Sequence, residues 1–181
     1  MTSFDARRLG FALTEVLAVL ILVALFAVVA LPVTLDVVRS HRRDGAARRV
    51  LADIRLAQSM AATRGRVHAW QWGPDAGRSE RESRIVREAG ECILPDRDAP
   101  QDGTDVVRTW FDLGGEYDGI SIRSVHDDRD RPLGAVMFDA MGAAVNPCTP
   151  EVSFPIRVTI VDRSGTSRAV VIRSAGGTSL Q

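Results

Sequence analysis

The sequence contains no lysine; all 23 of its basic residues are arginine. Any cationic site must therefore use the planar, forked guanidinium group rather than an ammonium. The arginines are matched by 23 acidic residues, so the formal net charge is zero. Bulk charge thus provides no pull toward nucleic acid or an acidic partner. Cysteine is scarce, with only Cys92 and Cys148, and the three histidines, His41, His68 and His126, lie far apart. No metal-ligand spacing results, and neither a metal nor a cofactor is expected. A Ser-His-Asp set and a glycine-rich phosphate loop are also missing, so no catalytic residues are assigned and the chain is not read as an enzyme. Internal repeats and low-complexity tracts are absent too. The 181 residues suit one domain of ordinary size with an appendage.

What the sequence does have is one long apolar segment. From Val16 to Leu31 there are 16 uninterrupted apolar residues, and Phe11 to Leu13 extend the run on the N-terminal side. The total approaches the ~20 residues that a helix needs to cross a bilayer. Arg7 and Arg8 precede it, which places the first ten residues in the cytoplasm and the rest outside by the positive-inside rule. A cleaved secretory signal fits poorly, because its apolar region spans only about 7–15 residues. A plain anchor leaves Glu15 unexplained. A carboxylate at a membrane helix centre costs roughly 2.5–3.5 kcal/mol, less near an interface, and is by default a functional group with a partner. A cut after Gly10 would supply that partner. Phe11 would become an N-terminal ammonium group, four residues from Glu15 on the same helix face. The pair could equally form between neighbouring helices.

The stretch "G-FALTEVLAVLILVALFAVVALP" resembles the class III signal of type IV pilins and type II secretion pseudopilins. The resemblance implies cleavage between Gly10 and Phe11 by a prepilin peptidase, N-methylation of Phe11 by the same enzyme, and a role for Glu15 in subunit assembly. Pro32 falls where many members have a helix-kinking proline. Ala12 and Thr14 depart from the commoner Thr and Ile or Leu, without touching the essential positions.

Beyond the apolar run, Val50, Ile54, Ala57 and Ala61 mark one face of a helix, with Arg48, Arg49, Asp53, Arg55 and Gln58 opposite. Gly65 is a plausible stop. The pattern predicts a helix from Phe11 to Arg64, with two places where it could bend: Pro32, and "SHRRDGAARR" around Gly45. After Gly65 the periodicity shortens. Strands are expected at 66–72, 83–88, 106–111, 119–125, 134–140, 154–162 and 167–174. "DRSG" (162–165) reads as a hairpin turn between the last two. The fold class expected is α+β: a long N-terminal helix, transmembrane then amphipathic, packed on antiparallel β-sheets in a pilin-like domain. The segments divide as leader 1–10, transmembrane or filament-core helix 11–32, amphipathic extension 33–65 and periplasmic β-rich domain 66–181.

A second stretch, "ARRVLADIRLAQSMAATRGRVHAW" (47–70), is similar to the helix-to-first-strand segment of the GspH/FimT-like family, which joins the type II secretion minor pseudopilins of the H type to the FimT/FimU-like minor pilins. Leu51, Ile54, Ala57, Ser59, Ala61, Arg64, Gly65 and Val67 match, and Gln58 replaces a commoner arginine. The implied function is that of a minor pseudopilin in a type II secretion system, a structural subunit of a periplasmic filament that drives export of folded proteins across the outer membrane. The implied partners are other pseudopilins or pilins, the prepilin peptidase/N-methyltransferase and inner-membrane lipid. The implied location is the bacterial inner membrane, single-pass, with the globular domain in the periplasm. Two other readings stand beside it: a type IV pilus minor pilin that binds DNA in uptake, and a membrane-anchored periplasmic enzyme or binding domain.

Three smaller features have candidate roles. Cys92 and Cys148 lie on the side facing an oxidising periplasm; joined, they would close a loop of about 57 residues, a link contributing roughly 4 kcal/mol in the chain-entropy model. "HDDRDRP" (126–132) concentrates carboxylates, but it lacks calcium-loop spacing and its arginines oppose a cation, so a solvated loop is expected. Arg163, Arg168 and Arg173 are the candidate DNA contacts. Strand alternation separates Arg168 from Arg173, and Asp162 dilutes the patch, which argues against nucleic acid. Trp70, Trp72 and Trp110 are assigned to the sheet core or an interface.

Overall fold

The computed structural model describes residues 13–76, 78–87, 106–145 and 152–181. Helix α1 runs from Leu13 to Arg64 as one element of 52 residues. It passes through Pro32 and Gly45 without a break. Two compact units divide the chain between Arg39 and Ser40.

In the first unit, α1 presents large apolar side chains to the surroundings on all sides. Leu13 is 83% exposed, Phe26 71% and Val28 74%. A helix this apolar all round needs lipid or other protein around it. Among the described residues no helix is long and apolar enough to cross a membrane. Phe11 and Ala12, and the side chains of Val29, Leu31, Pro32 and Val33, lie outside the described set.

The second unit contains the rest of α1 and two antiparallel sheets. The strands are β1 (His68–Trp72), β2 (Glu82–Arg87), β3 (Val106–Asp112), β4 (Ser121–His126), β5 (Ala135–Phe138), β6 (Ala144–Val145), β7 (Ile156–Val161), β8 (Ser167–Ile172) and β9 (Thr178–Leu180). One sheet has the order β3-β2-β1-β5-β6, the other β4-β7-β8-β9. A one-turn helix, α2 (Leu113–Glu116), follows β3. The expected hairpin is present: β7 pairs with β8 in unbroken register from Ile156↔Ile172 to Val161↔Ser167. Gly165 in its turn has φ +83°, a conformation that other residues adopt at a steric cost. Two short strands escape the sequence pattern. β6 spans two residues and β9 three, too few for alternation to show.

The predicted helix face becomes the main core. Ala46, Ala47, Val50, Ile54, Ala57 and Ala61 are all at most 1% exposed and share one cluster with residues of both sheets. Trp70, Ile85, Val136 and Phe138 come from the five-stranded sheet; Ile122, Val158, Ile160, Val170 and Ile172 come from the four-stranded one. Four alanines on this face let the helix backbone approach the sheets, and the large side chains of the strands fill the space between. A smaller cluster of Ala69, Val86, Ala135 and Met137 comes from β1, β2 and β5. Ala69 and Trp70 are adjacent in β1 and join different clusters, as strand alternation requires.

Candidate functional site

Among the described residues no group of three His, Cys, Asp or Glu could hold a metal ion. The described polar side chains fasten elements together or stand exposed.

Glu15 lies in the first turn of α1 and is exposed. A carboxylate there is favoured by the unpaired N–H groups at the helix N-terminus. Gly10 and Phe11 lie outside the described residues, as do Cys92 and Cys148 and the side chain of Pro32.

In the second unit, polar contacts hold α1 on two flanks. On one flank, Arg108 of β3 donates from Nη1 to Asp53 Oδ1, and Arg49 Nε stands 3.5 Å from the same oxygen. The guanidinium group of Arg49 lies 4.4 Å from the ring centre of Phe111. Burial pushes the Asp53 carboxyl above its ordinary range, and Arg49 works against that. On the other flank, Gln58 donates from Nε2 to Gly142 O at 2.7 Å, and Arg55 Nε donates to Thr178 Oγ1 at 2.9 Å. Gln58 thus has a specific contact where the resembling family more often has arginine. A Cβ on Gly176 would stand 2.2 Å from Gln58 Nε2 and 2.3 Å from Gly142 O, so this meeting point of helix and two turns needs glycine.

The first turns of this unit are held by charge. Arg42 Nη1 lies 3.8 Å from Asp118 Oδ2, Arg43 Nη1 donates to Asp162 Oδ2 at 3.1 Å, and Arg168 Nε donates to Asp44 Oδ1 at 2.9 Å. The same Asp162 uses Oδ1 to accept from Ser164 N and Oγ and from Thr166 N, ordering the β7–β8 turn. Burial raises the Asp162 carboxyl, but these hydrogen bonds and Arg43 outweigh it and leave its pKa lowered.

The three candidate DNA contacts differ in their surroundings. Arg163 donates to Asp118 Oδ1 at 2.7 Å, Arg168 is turned to Asp44 on the helix, and Arg173 lies exposed just past the end of β8. Phosphate binding needs cations free to meet on one surface, and two of these three already face carboxylates. The loop at 126–132 is mostly exposed, as expected, with one exception. It is not uniformly solvated, because Asp127 is only 3% exposed. Its Oδ1 accepts from Arg129 N and Arg131 N, and its Oδ2 from Arg131 Nε and Ser153 N. An aspartate that bonds the backbone two residues on is a recognised turn former, so the signal was local. The link to Ser153 was not visible, being 26 residues away. Trp70 is fully buried and Trp72 packs on the core, while the Trp110 ring has the guanidinium groups of Arg84 and Arg78 at 4.5 Å and 5.1 Å from its centre.

Solved structures with this arrangement are similar at low identity. The type IV minor pilin FimU of Pseudomonas aeruginosa matches with a TM-score of 0.53 and 16% identity, over 78% of this chain and 90% of that one. The minor pseudopilin EpsH from the type II secretion system of Vibrio cholerae matches with a TM-score of 0.51 and 10% identity, over 77% of this chain and 93% of that one. Identities this low speak for the fold alone. No curated protein matches in sequence. The sequence family described as Type II transport protein GspH matches residues 46–176, which run from the buried alanines of α1 to the turn before β9. By that match over most of its length, the chain belongs to the type II transport protein GspH family.

Proposed function

We propose that the chain is a minor pseudopilin of a type II secretion system, acting by packing rather than by catalysis. The observation that carries the reading is the GspH family match over residues 46–176, on a unit in which one helix lies over two antiparallel sheets. The leader adds support, since "RRLGFALTE" joins a basic flank, Gly10, Phe11 and Glu15 to an apolar run. Cleavage after Gly10 leaves Phe11 as the mature N-terminus, which is then N-methylated. The apolar part of α1 anchors the subunit in the inner membrane and passes into the filament core, where Glu15 pairs with the amine of a neighbouring subunit. The β-rich unit stays in the periplasm and selects its neighbours there.

Mass spectrometry of the purified chain tests the processing. The expected mass corresponds to residues 11–181 with one added methyl group, and an intact Met1 overturns the reading. Glu15→Ala tests the mechanism. Secretion and co-purification with other pseudopilins should be lost while the amount of chain in the inner membrane is unchanged. Normal secretion by Glu15→Ala would remove the pairing role. The pilus alternative predicts DNA binding by Arg163, Arg168 and Arg173; two of these already face carboxylates, which favours the secretion reading.

A further inference from the structure

Within the Ser40–Gln181 unit, α1 is fastened by two different kinds of contact in sequence. Residues 42–44 are held through ion pairs: Arg42 with Asp118, Arg43 with Asp162 and Asp44 with Arg168. From Ala46 onward the helix is held chiefly by apolar burial, with Ala46, Ala47 and Val50 at most 1% exposed. Gly45 stands between the two sections. A Cβ there would approach Tyr117 Cε1 to 2.9 Å, so the tyrosine ring occupies the space that a side chain would take.

From this arrangement we infer that residues 40–45 form a detachable ionic clasp, hinged at Gly45, that opens while the rest of the unit stays folded. Ion pairs weaken with salt, whereas apolar burial does not. Glycine is a poor residue for a helix interior, so once the clasp opens this turn is the weak one. The clasp is also incompletely satisfied. Arg43 Nε is buried with no hydrogen-bond partner among the described residues, and opening returns it to water. The central pair is the key one, because the Arg43 and Asp162 side chains are 12% and 8% exposed, whereas the Arg42–Asp118 pair is largely solvated. Asp162 also orders the β7–β8 turn, so the state of that turn and the state of the clasp depend on one carboxylate. The consequence is a variable boundary. Closed, the β-rich unit holds α1 from residue 40; open, it holds α1 from Ala46.

Hydrogen–deuterium exchange on the full chain in detergent micelles tests this. Asp162→Asn removes the charge facing Arg43 but keeps an oxygen for the Ser164 and Thr166 amides. Exchange at residues 40–45 should quicken by about tenfold or more, with residues 50–61 unchanged. Sodium chloride at about 1 M should act on the native chain in the same direction. Reversing a pair with Asp44→Arg and Arg168→Asp together should restore protection that either single change removes. Unchanged exchange at 40–45 in Asp162→Asn would overturn the inference. So would equal loss of protection at 40–45 and 50–61, since the two sections would then open as one.

Discussion

The ring of Tyr117 lies against Gly45 of α1, with Cε1 2.9 Å from where a Cβ would stand. From sequence, this glycine read as a weak point in a helix. In the fold it is a contact, because the missing side chain is what admits the ring. Replacing it by leucine should therefore destabilise the unit by about 1–3 kcal/mol through overpacking, although leucine is the better helix former. Denaturant unfolding of Gly45→Leu alone and with Tyr117→Ala measures it. The double variant should recover part of the loss, and equal losses in both would remove the contact as the cause.

Asp127 provides a pH prediction with a definite sign. Burial pushes its carboxyl up, but the hydrogen bonds from Arg131 N, Ser153 N, the Arg131 side chain and Arg129 N outweigh burial and hold it well below its ordinary value of 3.8. A carboxyl with a lowered folded-state pKa contributes stability above its unfolded pKa and loses it as pH falls toward the folded one. The melting temperature of Asp127→Asn should thus fall below that of the native chain at neutral pH. The gap should narrow progressively once the pH drops below about 4. A constant gap down to strong acid would mean that the charge is not what matters.

Ile54 and Leu56 separate core from surface on one helix. Ile54 is fully buried among residues of both sheets, while Leu56 is 38% exposed. Ile54→Ala should cost about 2–5 kcal/mol, and Leu56→Ala about 0.5 kcal/mol or less, by chemical denaturation.

Arg168 is expected to act as a structural cation. Its pair with Asp44 is part-exposed, at 41% and 31%, so Arg168→Ala should lower stability by only about 0.5–1 kcal/mol. A gel-shift assay with duplex DNA should show no binding that depends on Arg163, Arg168 or Arg173. Binding lost in step with these arginines would favour the pilus reading.

The proposed Cys92–Cys148 link is tested by peptide mapping without reductant. A cross-linked peptide pair should appear and should vanish on reduction; free thiols at both positions would remove it from the account.

Much of this was legible because it is periodic or local. Val50, Ile54, Ala57 and Ala61 announced the buried face of α1, and alternation together with "DRSG" announced the β7–β8 hairpin. What escaped was either too short or too distant. β6 and β9 have too few residues to alternate visibly. The partners of Asp53, Gln58 and Asp162 lie 55, 84 and 119 residues away along the chain. Asp127 read as one of several loop carboxylates, because only the fold removes it from water.

By itself, the sequence determined that an apolar N-terminal helix continues into an amphipathic one and is followed by antiparallel strands. Those properties depend on residues three, four or two positions apart, which any local conformation brings together. Tertiary structure alone decided which charges became fasteners. Asp44, Asp53 and Asp162 are ordinary surface carboxylates until packing sets Arg168, Arg108 and Arg43 against them. Fixed geometry, joined by burial at Asp162 and Asp53, then makes those pairs matter, and both arise only when α1 settles onto its two sheets.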